Sequence, residues 1–147
     1  MMNMFMLAAA WFLVGADTPK GDANQMDLEK MQGEWALESM VNNGGPVPED
    51  DAHSLFRTVK SDSYTVFLFD KPISKGTFKI DATKNPKTID FFPGNTADKT
   101  KALPGIYQLD GDTLKICYGQ PGKDRPQEFE SKKDMMQTLA VWKREKK

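Results

Sequence analysis

The chain has one cysteine and one histidine in 147 residues, and almost no excess charge of either sign. A lone Cys117 excludes an intrachain disulfide and a cysteine cage for zinc, so stability must come from packing. With His53 alone, neither a multi-histidine metal centre nor a histidine-based nucleophile and base pair is recognisable beyond one member. Twenty Lys and Arg against 21 Asp and Glu give a net charge of −1, so there is no basic field to collect phosphates and nucleic acid is not an expected partner. No apolar run is long enough to cross a bilayer as a helix. No cofactor and no metal is expected.

Charge is also missing locally, because Met1 to Ala16 carries no ionisable side chain while the remainder is rich in Lys, Asp and Glu. Met4 to Val14 has the length of a signal-peptide core, and Val14 and Ala16 suit cleavage after Ala16. The start, Met1-Met2-Asn3, lacks the usual Lys or Arg. No cysteine follows the apolar core, so a lipid anchor is not indicated. The expectation is a signal peptide over 1–16, a flexible linker over 17–25, and one exported domain over 26–147, periplasmic or extracellular and monomeric.

The domain reads as strands. Met26 to Gln32 forms a short helical turn with Asp27 near its start. From Glu34 the period is two, with Trp35, Leu37, Ser39 and Val41 on one face and Glu34, Ala36, Glu38 and Met40 on the other. Asn42 to Pro48 is a loop and Glu49 to Leu55 a helical turn. Six strand candidates follow: 56–60, 64–69, 73–80, 88–92, 106–109 and 113–118, rich in β-branched and aromatic residues and separated by turn formers. A last strand covers Thr138 to Arg144, and Gln127 to Ser131 is a possible short ninth. Short intervals without long helices imply sequential antiparallel neighbours. The predicted fold class is all-β, an up-and-down barrel of about eight strands, whose interior is filled or holds one small ligand. A two-sheet sandwich is the competing architecture.

Gly33-x-Trp35, placed after a helical turn at the start of the first strand, resembles the opening signature of lipocalins. The resemblance implies a Trp across the closed end of the barrel with a basic side chain from the final strand over it, and Arg144 is the match. A longer resemblance covers Asp27 to Glu145 and is to a domain of unknown function abundant in planctomycete bacteria. It is carried by Asp27-Leu28-Glu29-Lys30-Met31-Gln32-Gly33-Glu34-Trp35, by Lys75-Gly76-Thr77-Phe78-Lys79-Ile80-Asp81, and by the run from Gly105 to Tyr118. Pro121-Gly122-Lys123-Asp124-Arg125-Pro126 and Phe129 complete it. Val141-Trp142 departs from the aliphatic run expected before the terminal basic pair. The resemblance implies a bacterial exported setting and no established activity.

Candidate sites divide by chemistry. His53 lies in a polar loop without a partner, and Glu49, Asp50 and Asp51 fit no calcium loop. Asp110-Gly111-Asp112 reads as a hairpin turn. Cys117 falls on the face opposite Leu114, Ile116 and Tyr118, and is read as a small hydrophobe rather than a reactive thiol. Those three residues are expected to line the interior. In the loop Gly119 to Pro126, Arg125 either pairs with a ligand anion or caps a neighbouring loop. Barrel closure is assigned to Gly33, Trp35 and Arg144, with Lys143 the alternative to Arg144. Two functions follow: a non-enzymatic module holding a small apolar ligand inside, or an envelope interaction domain acting through its loops around a core filled by Trp35, Phe67, Phe78 and Phe91. Glu34, Glu38 and Asp90 are the carboxylates available to a glycosidase.

Overall fold

The computed structural model describes residues 20–145; the proposed signal peptide and residues 17–19 of the proposed linker lie outside them. Helix α1 (Lys20–Met31) leads into strand β1 (Gly33–Asn42). There follow β2 (Gly45–Pro46), a short helix α2 (Glu49–Ala52), β3 (Leu55–Lys60), β4 (Ser63–Leu68) and β5 (Lys71–Asp81). The chain continues through β6 (Lys87–Pro93), a 3-10 turn (Lys99–Lys101), β7 (Leu103–Asp110), β8 (Thr113–Tyr118) and β9 (Thr138–Arg144). No helix among the described residues is long and apolar enough to cross a membrane.

Every pairing is antiparallel between sequence neighbours, apart from β2, and β9 returns to pair with β1. The sheet therefore closes on itself as an eight-stranded barrel, with β2 a short hairpin partner of β1. Closure removes the free edges that a sandwich of these strands leaves. The β1–β2 turn uses Asn43 and Gly44 at φ 50° and 83°, the positive angles that a two-residue hairpin requires and that Asn-Gly supplies at low cost.

Four local expectations are corrected. α1 begins at Lys20, so Lys20 to Gln25 are helical rather than linker. Asn24, Asp27, Leu28 and Met31 recur at helical spacing on its inner face, Asp27 and Met31 buried, and Asn24 Oδ1 accepts the Ala82 amide at 2.7 Å. β1 does not keep one face throughout. A register shift between Leu37 and Ser39 inserts a bulge, which moves Met40 to the interior in place of Ser39 and Val41. No strand forms at Gln127 to Ser131; the whole of 119–137 is irregular. Finally, Phe67 is no core filler, since it pairs with Phe56 on the outer side of β3 and β4 and stays half-buried.

The core is the barrel interior: Trp35 and Leu37, Val59, Tyr64, Phe78, Ile89 and Phe91, Tyr107, Leu114 and Ile116, Ala140 and Trp142. A second buried layer, Ile106 and Cys117, lies on the outer face, where the two residues pair across β7 and β8. Gly105, beside Ile106 on β7, pairs with Tyr118, and a Cβ there would stand 2.8 Å from the Cys117 carbonyl oxygen.

Candidate functional site

One end of the barrel is plugged. Trp35 is fully buried and its Nε1–H donates to the Met31 carbonyl at 3.0 Å. Gly33, at φ 112°, turns the chain from α1 into β1, and a Cβ there stands 3.4 Å from Arg144 Nη1. The Arg144 guanidinium packs over the Trp35 ring, donates to the Gln32 carbonyl at 2.8 Å and to the Lys30 carbonyl, and meets Asp112 at 3.3 Å. These carbonyls belong to the end of α1, where no helical partner remains for them and the helix dipole favours a cation. Gln32 bridges the helix end to the β3–β4 turn, accepting from the Ser61 amide at 2.7 Å and donating to its carbonyl at 2.9 Å. Deeper in, buried Asp27 accepts from Tyr107 and from Lys87, both at 2.8 Å. Burial, and then the hydrogen bond to Asp27, push the Tyr107 hydroxyl far above the ordinary tyrosine range.

The other end is hollow. A cavity of about 290 Å³ lies inside the barrel, within reach of the lower end of the size range of small-molecule pockets, roughly 300 Å³ upwards. Met40, Leu55, Val66, Leu103 and Ile116 supply aliphatic wall, and Ile73, 55% exposed, carries the lining out to the surface. Tyr118 and Phe91 meet edge to face at 5.8 Å, and Tyr64 and Phe91 at 5.4 Å.

A cation stands in this apolar lining. Arg57 follows Leu55 on the inner face of β3, two residues nearer the plugged end, and is 7% exposed. Its guanidinium carbon is 4.7 Å from the Tyr64 ring centre, 4.9 Å from Phe91 and 5.6 Å from Trp142. Among the described residues no carboxylate pairs with it and no oxygen accepts from its side chain, whereas Arg125 and Arg144 each have both kinds of partner. Each ring face offers about 0.5–2 kcal/mol. A buried ion without a carboxylate partner gives up several kcal/mol of hydration. Burial accordingly pushes the Arg57 guanidinium down to about 10, which leaves it charged at neutral pH. Trp142, also in the lining, has a buried Nε1–H without an acceptor. Burial raises the Tyr64 hydroxyl, keeping it neutral beside the cation.

Of the residues chosen from sequence, Ile116 and Tyr118 line the cavity, and Leu114 is buried on the same face of β8 outside that lining. Arg125 is elsewhere: it donates to the Ile89 and Gly105 carbonyls at 3.2 and 2.8 Å and pairs with Asp90 at 2.8 Å on the outer wall. Through Nη1 and Nη2 it ties the 119–137 loop to the sheet. Cys117 is buried, with Sγ donating to the Glu130 carbonyl at 3.3 Å and its thiol pushed up by burial. His53 is exposed and lies 3.9 Å from Glu49. Glu34 and Glu38 stand on the outer face of β1, Glu38 beside Lys143 at 3.7 Å, and Asp90 stands on β6, not a neighbour of β1. No three His, Cys, Asp or Glu side chains converge as a metal site among the described residues.

Fold and site together define a closed antiparallel barrel, plugged at one end and hollow at the other. Comparison with family models, with curated proteins and with solved structures gives no match for this chain.

Proposed function

We propose that the protein is an exported, non-enzymatic barrel that binds one small, largely apolar molecule in its interior, in the planctomycete domain family that its sequence resembles. The observation that carries this reading is the cavity of about 290 Å³ at the open end of an otherwise closely packed barrel, since protein interiors hold few voids larger than a water molecule. At the roughly 30 Å³ that a water occupies in the liquid, that volume suits about ten non-hydrogen atoms. Export is supported by the uncharged Met1 to Ala16 segment and predicts a mature chain beginning at Asp17. The cavity supports this reading over the alternative, an envelope interaction or scaffold domain with a packed core acting through its loops.

Calorimetric titration of the mature domain with 1-octanol tests the reading. Saturable one-to-one binding with a negative heat-capacity change, the mark of apolar burial, supports it. Absence of binding up to the solubility of the alcohol contradicts it.

A further inference from the structure

The polar side chains of the cavity lining carry one charge, on Arg57, beside the hydroxyls of Tyr64, Ser74 and Tyr118. Arg57 brings five N–H donors in a planar fork, and the buried indole N–H of Trp142 adds another without an acceptor. The elements around Arg57 answer with rings: Tyr64 from β4, Phe91 from β6 and Trp142 from β9, with Tyr118 of β8 packed edge-on to Phe91. A ring face attracts a cation but does not terminate its N–H bonds with oxygen. A carboxylate that enters with the occupant supplies that oxygen.

We propose, building on the reading of the interior as a binding cavity, that Arg57 is the counter-ion for the head group of an anionic amphiphile. The occupant is a monocarboxylate with a short apolar tail, held head-first on the cavity floor. Three observations carry this. The cation is single, so a singly charged head neutralises it where a dianionic phosphate monoester leaves charge uncompensated in an apolar site. The guanidinium fork matches a planar carboxylate with two parallel hydrogen bonds. Finally, Leu55 and Arg57 alternate along β3 from the mouth inward, so a head on Arg57 lays its tail along Leu55, Val66, Leu103 and Ile73 toward the exit. A straight-chain acid of about ten non-hydrogen atoms fills the volume.

The test compares octanoate with 1-octanol, which share a chain and differ in charge, by calorimetry near pH 7.5 on the wild-type domain and on Arg57→Gln. Hydrogen bonds to a charged group predict that wild type prefers octanoate by about 10- to 100-fold, and that Arg57→Gln loses this preference, binding the two ligands with similar affinity. Equal affinity of wild type for the two overturns the assignment of Arg57 but leaves the cavity reading intact. So does an octanoate preference that survives in Arg57→Gln. Failure of both ligands to bind wild type overturns the cavity reading itself, and the wild-type comparison needs no variant to fold.

Discussion

Trp35 and Arg144 are Cα partners across the seam between the first and last strands, and the guanidinium carbon of Arg144 lies 4.3 Å from the centre of the Trp35 ring. One contact thus serves two purposes, locking the barrel seam and capping the last carbonyls of α1. Trp35→Ala is expected to destabilise the domain by about 3–5 kcal/mol, as large core truncations do. Arg144→Ala should cost less, about 1–3 kcal/mol, because its hydrogen bonds go to carbonyls that water can still reach. Urea denaturation with unchanged m-values checks both.

Arg57 should behave in the opposite sense. Replacing it with Met removes a buried ion that has no carboxylate partner among the described residues and keeps a flexible apolar side chain against Tyr64, Phe91 and Trp142. Arg57→Met is expected to stabilise the free protein by about 1–3 kcal/mol, a gain of the kind found where function holds a strained group in place. A structural cation–π role predicts a loss instead, and chemical denaturation distinguishes the two signs.

Ala140 is a buried residue on the cavity lining. Ala140→Leu places three further carbons in the void and should leave stability within about 1 kcal/mol of wild type, because overpacking strain arises where no space exists. Octanol and octanoate binding should both fall at least tenfold, read by calorimetry.

Tyr107 supplies a pH dependence. Its hydroxyl is held protonated by burial and by the Asp27 carboxylate, so its folded value lies above its unfolded value near 10. The unfolded chain therefore releases this proton first. The contribution is fully present below pH 10 and is lost as pH rises beyond it, by up to about 1.4 kcal/mol per pH unit. Tyr107→Phe should be less stable than wild type at neutral pH, with the gap narrowing above pH 10. Thermal or urea melts from pH 8 to 11 check the difference between the two proteins, which cancels the titration of all other groups.

Strand number and order were legible because alternation and turn residues mark each hairpin independently; closure was not, because a two-sheet sandwich has the same alternation, and it is the β1–β9 pairing that decides it. The faces of two strands were harder to read. Leu139 and Val141 look like the core side of β9, yet Thr138, Ala140, Trp142 and Arg144 point inward, and Leu139 pairs with Cys117 in the outer layer. Arg144 therefore lies on the inward face and reaches Trp35 directly. In β1 nothing in Leu37-Glu38-Ser39 announces the bulge, since no glycine stands there. Arg57 was the consequential omission. Its only signal is a cation at the alternate position between Leu55 and Val59, and with Phe56 and Thr58 on the other side both faces of β3 pass for half-buried. Arg125 drew attention because it sits in a loop, although loop cations commonly serve the chain itself.

The most direct test of a hollow barrel with a charged floor is to locate bound octanoate by intermolecular nuclear Overhauser effects on methyl-labelled protein. The prediction is contacts from the ligand tail to the methyl groups of Val66, Leu103 and Ile116, all of which line the cavity. Contacts confined to the outer-face methyls of Leu139 and Val141, or none at saturating octanoate, would contradict the account.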